Sequence, residues 1–231
     1  MLDLLRPKNT NYSKIRLGDA SDSGYVIPEI VLKKCNAIFS YGVGSNWTCE
    51  KEFIDKYNKP VYMFDHTLGL NTFHQNLLHF INEGLGFAPK CDDFINHYNK
   101  LGIIGDIFLK IDIEGNEWDY FLNTDIEKIA SITTGLCLEI HGLSYKDIRK
   151  KAENVLNKLE KYFTLSHIHG NNQGELFTYQ KYFIPDVMEL SFINKKLINF
   201  EEYDTQSYPI KELDYSNNPS KPDYELKFIN N

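Results

Sequence analysis

The run at 107–118, IFLKIDIEGNEW, sets Lys110, Asp112 and Glu114 alternately with Leu109, Ile111 and Ile113. In an extended strand that spacing turns the three charged side chains to one face as the strand ends. Charge buried without a partner is costly, so such a strand either pairs its charges or opens them into a crevice that uses them. Two more pairs share the two-residue spacing, Glu139 with His141 in LCLEIHG and His167 with His169 in LSHIHGNN. An imidazole whose ordinary pKa is about 6.5 is suited to take up a proton near neutrality. His141 is therefore the first choice for a general base, with Asp112 to orient it or to bind substrate hydroxyls. His169 and Asn171 are candidate contacts for a polyhydroxylated ligand, because imidazole and amide both donate and accept. Each has a plainer rival: a lone histidine at a strand end is commonly structural, and Glu139 could simply pair with Lys110.

The stretch at 37–50, AIFSYGVGSNWTCE, runs from apolar residues into a glycine turn and then a helical pattern, so backbone N–H groups there are free for a ligand. A dinucleotide fingerprint wants a third glycine where Trp47 stands, and an indole argues against a pyrophosphate at that place. Asp65, at the end of the next apolar run, is placed to accept hydrogen bonds from ribose hydroxyls. A tight turn plus an acid, without the third glycine, suits a nucleoside lacking a pyrophosphate. S-adenosylmethionine is such a ligand. His66 follows Asp65 directly and leaves open which side chain takes the ribose.

These residues need a frame that gathers strand ends. Apolar, β-branched runs predict strands at 37–41, 61–65, 107–113, 135–140, 164–169 and 187–193, with a weaker one at 85–88. Helical patterns lie at 48–58, 72–82, 92–102, 116–123 and 144–162. In the last, Ile148, Ala152, Val155, Leu156 and Leu159 form one apolar stripe, which should cover a face of the sheet. Alternating strands and helices predict a mostly parallel sheet. The last two strands have no long helix between them, so an antiparallel pair is expected at that edge. Turn signals in KIRLGDASDSGYVIPE predict a small hairpin before the core, and the aromatic-bearing tail beyond 199 is expected to dock on the domain.

With 231 residues, 42% of them hydrophobic, the chain fits one α/β domain: 1–34 as hairpin or lid and 200–231 as a C-terminal extension. A net charge of −7 and the lack of a basic block make nucleic acid and anionic membranes poor partners. No apolar run has the length of a leader or a membrane span, which predicts a cytoplasmic protein. The four cysteines are irregularly spaced and read as reduced thiols.

The sequence resembles the FkbM-like S-adenosylmethionine-dependent methyltransferases. Their most recognisable motif, a K-x-D-x-E-G-x-E strand end, stands here as Lys110, Asp112, Glu114, Gly115 and Glu117, followed by Trp118. LGDASDSGYVIP resembles the family's opening, SYGVGSN its cofactor turn, LEIHG and HIHGNN its later strand ends, and NNPSKPDYEL a closing motif of some members. The resemblance implies a class I methyltransferase fold, an α/β Rossmann-like arrangement with a seven-stranded, mostly parallel sheet whose last strand is antiparallel. Tyr41, Gly42 and Gly44 would then lie against the cofactor's methionine part, and Asp65, His66 and Asp112 would complete its site.

The function expected is O-methylation of a sugar or nucleotide-activated sugar, for a capsule or another surface polysaccharide. His141, Asp112 and Glu139 are the catalytic candidates; Arg16, Asp22, Tyr25, Lys110, Glu114, His169 and Asn171 are the substrate-binding ones. The opening segment, with Asp19 among its residues, would close over the acceptor, or be an ordinary surface hairpin. No metal is assigned, although Asp112, Glu114, Glu139 and the histidines offer ligands suited to Mg²⁺ or Mn²⁺. Rival readings are a methyltransferase for another metabolite or a protein, a NAD-binding oxidoreductase, and a non-catalytic nucleotide-binding module. A homo-oligomer is compatible with all of them.

Overall fold

The structure is a computed structural model and describes residues 1–229. Eight strands make the main sheet: β1 (Ala37–Tyr41), β2 (Val61–Phe64), β3 (Phe73–Gln75), β4 (Leu78–Ile81), β5 (Ile107–Ile111), β6 (Thr133–Ile140), β7 (Phe163–Gly170) and β8 (Met188–Asn194). Their order across the sheet is β7, β8, β6, β5, β1, β2, β4, β3. Strands β1, β2, β4, β5 and β6 are parallel, β8 is antiparallel to β6 and β7, and β3 is antiparallel to β4. Apart from the short edge strand β3, this is the class I methyltransferase sheet that the motifs implied, last strand antiparallel included. The strand order reverses between β1 and β5, where an open sheet forms its ligand crevice.

Among the described residues six α-helices accompany the sheet: α1 (Glu29–Lys34), α2 (Thr48–Tyr57), α3 (Phe94–Lys100), α4 (Glu117–Asn123), α5 (Ile126–Ser131) and α6 (Lys146–Leu159). Every residue of β1, β5 and β6 is buried, as in a sheet covered on both faces. Period-two alternation divides the core. Phe39, Tyr41, Leu109 and Ile111 pack with α3, α4, α5 and α6, whereas Ile38 and Phe108 pack with α1, α2 and the N-terminal hairpin. Lys110 has the parity of Phe108, so it points toward the hairpin side. The stripe of α6 is buried at Ala152, Val155, Leu156 and Leu159, each large side chain contributing about 1.5–3 kcal/mol.

The predicted helix at 72–82 is instead the hairpin of β3 and β4. Its apolar residues fit a helical period, but Asn76 adopts a left-handed φ of 50° that turns the chain. Strand β4 then satisfies the open edge of β2, and Phe80 stacks on Phe73 and Trp47. Sheet completion outweighs local periodicity. The weak strand at 85–88 reduces to Gly84–Leu85, bridged to Cys91–Asp92 outside the main sheet. Asp112, Ile113 and Glu114 lie beyond the end of β5, in a turn where Glu114 has φ 54° and Gly115 φ 97°. Helices α1 and α5 and the hairpin of Leu176–Tyr179 with Tyr182–Pro185, between β7 and β8, were not expected from the residue pattern.

The opening hairpin pairs Lys14–Leu17 with Tyr25–Pro28. In the tail, Glu202–Tyr203 pairs with Lys8–Asn9, and Tyr208, Leu226, Phe228 and Ile229 are buried against the main core. The last two residues of the extension at 200–231 lie outside the described residues. Among the described residues no helix is long and apolar enough to cross a membrane.

Candidate functional site

Strand β1 runs into Gly42, whose φ of +71° favours glycine and whose surroundings demand it: an added Cβ would overlap the Asp112 carbonyl oxygen. The ends of β1 and β5 meet there, Asp112 N–H donating to Tyr41 O at 3.0 Å. Gly44, with φ +52°, donates its N–H to Asp65 Oδ2 at 3.2 Å. The indole at the place of a third glycine closes the turn, Trp47 Nε1 donating to Gly44 O at 2.8 Å. Asp65 Oδ1 accepts from Thr67 N and Thr67 Oγ1 at 2.8 and 2.7 Å. A carboxylate has about four acceptor sites, so Asp65 keeps room for about one more donor.

Two cavities open on this turn. The first, about 470 Å³, is walled by Phe64, Leu85, Phe87, Ile113 and Tyr120, with His66 and Asp119 at its polar margin. The second, about 460 Å³, is polar and bounded by Asp22, Tyr25, Asn46, Glu50 and Lys110. Gly42, Asp65, Thr67, Asp112 and Glu114 line both. An apolar slot beside an acid and a glycine turn suits an adenosine, and the volume is that of a small-molecule site.

Four carboxylates converge on His141. Its Nδ1 lies 3.3 Å from Glu117 Oε1, and its Nε2 lies 3.6 Å from Glu114, 3.6 Å from Glu139 and 3.9 Å from Asp112. Burial disfavours the charged ring, but hydrogen bonds to Glu117 and Glu139 outweigh that and raise its pKa to about 11. That shift favours the imidazolium, which donates rather than accepts, and so weighs against the general-base role expected from the sequence. The carboxyl of Asp112 is pushed up to about 7, by burial first and then by Glu139, and burial likewise raises Glu139. Tyr25 O–H lies 3.4 Å from Asp112 Oδ2 and 3.5 Å from Glu139 Oε2, bridging the pair. Glu139 also accepts from Asn171 Nδ2 at 3.0 Å, rather than pairing with Lys110. The Lys110 ammonium sits 4.7 Å from the centre of the Tyr25 ring. Burial opposes its charge, yet Glu50 and Asp112 hold its pKa above the ordinary value.

Glu117 was absent from the expected site, yet it is fully buried and organises this centre. Its carboxylate accepts from His141 N at 2.7 Å and Gly115 N at 2.9 Å, while Trp118 Nε1 donates to His141 O at 2.8 Å. The E-W pair that ends the motif therefore clamps the end of β6 to the turn after β5. A Glu among the apolar residues opening α4 was the available signal.

Other expected contacts are engaged within the fold. The Tyr41 side chain is buried in the core, stacked on Phe64, with its hydroxyl 3.0 Å from His97 Nδ1. Arg16 donates to the carbonyls of Asp19, Ser21 and Leu213 at 2.7, 2.8 and 3.3 Å, which shapes the hairpin loop, and Asp22 faces the second cavity. His169 is 1% exposed and lies between Glu189 and Asp223. Asn171 serves Glu139, and Asn172 Nδ2 donates to the carbonyls of Asn218, Lys221 and Pro222. HIHGNN thus binds the closing motif NNPSKPDYEL of the tail.

No family model matches the chain, and no curated protein is similar to it. Among solved structures it is similar to the Methanococcus jannaschii fibrillarin pre-rRNA processing protein (15% identity, 71% of this chain and 69% of that one, TM-score 0.40). It is also similar to an rRNA methylase from Streptococcus thermophilus (16%, 71% and 91%, TM-score 0.38). A third is precorrin-6y C5,15-methyltransferase from Geobacter metallireducens GS-15 (13%, 72% and 87%, TM-score 0.38). The overlaps are loose, and the architecture is defined by the strand order itself.

Proposed function

We propose that the protein is an S-adenosylmethionine-dependent O-methyltransferase of the FkbM-like kind whose acceptor is a sugar. The single observation that carries this reading is the shared wall: the apolar slot and the polar cavity meet at Gly42, Asp65, Asp112 and Glu114. The turn at Gly42 and Gly44 with Asp65 would hold the nucleoside, with Phe64, Leu85 and Phe87 around its base. Bound there, S-adenosylmethionine supplies an activated methyl on a sulfonium sulfur, which leaves as a neutral thioether when the acceptor oxygen takes the methyl. The protein's main contribution is alignment, for which well-oriented reactions gain about 7–11 kcal/mol. The hydroxyl proton passes to the Asp112 and Glu139 pair, whose mutual repulsion and burial favour sharing one proton.

The second cavity presents Asp22, Glu50, Asp65, Asp112 and Glu114 against the one cation Lys110. A diphosphate would be repelled there, which favours an uncharged sugar over a nucleotide-activated one. The surface-polysaccharide setting follows from the resemblance alone. Trp47 at the third-glycine place disfavours a dinucleotide oxidoreductase, and product formation separates an enzyme from a binding module.

The test is calorimetry with S-adenosylhomocysteine and NAD, followed by mass-shift assays with free sugars, nucleotide sugars and RNA. Heat with S-adenosylhomocysteine, none with NAD, and a one-methyl gain on a free sugar are expected. Asp65→Ala should weaken S-adenosylhomocysteine binding about 10–100-fold, the worth of a charge-assisted hydrogen bond. Absence of heat with S-adenosylhomocysteine ends this reading.

A further inference from the structure

We propose that Asp112 Oδ1, Glu114 Oε2 and His141 Nε2 form a site for a divalent cation, Mn²⁺ or Mg²⁺, at the wall between the two cavities. These three atoms lie within 4.8 Å of one another, with His141 Nε2 at 3.9 Å from Asp112 Oδ1 and 3.6 Å from Glu114 Oε2. Ligand bonds of about 2.0–2.2 Å set neighbouring donors about 3–4 Å apart around one ion, so binding needs a small contraction and displacement of the Nε2 proton that the carboxylates otherwise hold.

Two observations separate this cluster from an ordinary acidic patch. Asp112 Oδ1 is enclosed and has no hydrogen-bond partner, while the Tyr25 hydroxyl faces the other oxygen of the same carboxylate. His141 is also oriented from outside the cluster. Glu117, buried and held by two backbone N–H groups, engages Nδ1 and leaves Nε2 facing Asp112 and Glu114, with Glu139 beside them. A carboxylate behind the far nitrogen is how proteins orient a metal-binding imidazole. Two carboxylates with one imidazole suit Mn²⁺ or Mg²⁺, and no thiol is present to favour a softer metal. Asp112 and Glu114 line both cavities, so the ion's open positions face the acceptor. This last point rests on the sugar-methyltransferase reading: adjacent sugar hydroxyls are the chelating group such an ion takes. The ion would also offset the negative charge of the second cavity.

The test titrates the whole protein with Mn²⁺ alone, followed by electron paramagnetic resonance of the free ion and by calorimetry. One Mn²⁺ per chain is expected, weakened at least about tenfold by Asp112→Asn and His141→Gln. The Glu114 side chain is 86% exposed, so Glu114→Gln leaves the fold intact and should weaken Mn²⁺ several-fold. Asp92→Asn alters the other cluster, Glu83, Asp92 and His97, and should leave Mn²⁺ affinity unchanged. Failure of wild type to bind Mn²⁺, indifference of its affinity to Glu114→Gln, or its loss in Asp92→Asn would each overturn the proposal. S-adenosylhomocysteine calorimetry in EDTA reads the nucleoside slot separately, so a failed metal site and a failed methyltransferase reading give different results.

Discussion

At Gly42 one missing side chain fixes the distance between two strand ends. Any Cβ there would strike the Asp112 backbone, and the positive φ adds a penalty of about 1–3 kcal/mol for an L side chain. Gly42→Ala is therefore expected to lower the urea midpoint and to abolish S-adenosylhomocysteine binding, as read by unfolding curves and calorimetry. Gly44 has open space around its would-be Cβ and carries only the conformational cost. The residues legible in the sequence were those whose chemistry is tied to a strand end: Gly42, Asp65 and Asp112. His141 was legible as a member of the cluster. Its raised proton affinity was not, because it depends on Glu117 and Glu139 closing on the folded ring, which no spacing rule reports.

Strand β7 and the tail are held by a buried ion triad in which His169 lies 3.3 Å from Glu189 and 3.0 Å from Asp223. Burial works against the charged ring, yet its hydrogen bonds to Asp223 and Glu189 raise its pKa to about 10. The folded value lies above the ordinary one, so this stabilisation is complete below about pH 6.5 and is lost as pH rises through about 10. Hydrogen exchange across 213–229 should accelerate between pH 7 and 10.5 beyond the intrinsic base-catalysed rate, and His169→Gln should remove that excess. The pairing was invisible in the sequence because Asp223 lies 54 residues away and charge alone does not name its partner. The main strands were legible for the opposite reason, since a strand buried on both faces reads as an apolar run. The hairpin at 73–81 was missed where tertiary stacking on Trp47 competes with a helical period.

Across the whole molecule, the first and last segments of the chain meet over the second cavity. Asn217 Nδ2 donates to Asp22 Oδ1 at 3.1 Å and to Glu189 Oε1 at 2.7 Å, and Asp22 N–H donates to Asn217 O at 3.3 Å. The opening hairpin is thereby latched to the tail, and the Asp22 wall of the second cavity depends on residues nearly 200 positions apart. Asn217→Ala should raise the acceptor KM about 2–10-fold while leaving S-adenosylhomocysteine affinity unchanged, a split that steady-state kinetics and calorimetry resolve. The latch leaves the nucleoside slot untouched, because that slot is built by β1, β2 and the turn after β5. The chain's two tryptophans, meanwhile, are both tied to backbone carbonyls beside the site, Trp47 to Gly44 O and Trp118 to His141 O. The protein therefore carries a pair of intrinsic fluorophores, one half-buried beside the glycine turn and one sealed behind the end of β6.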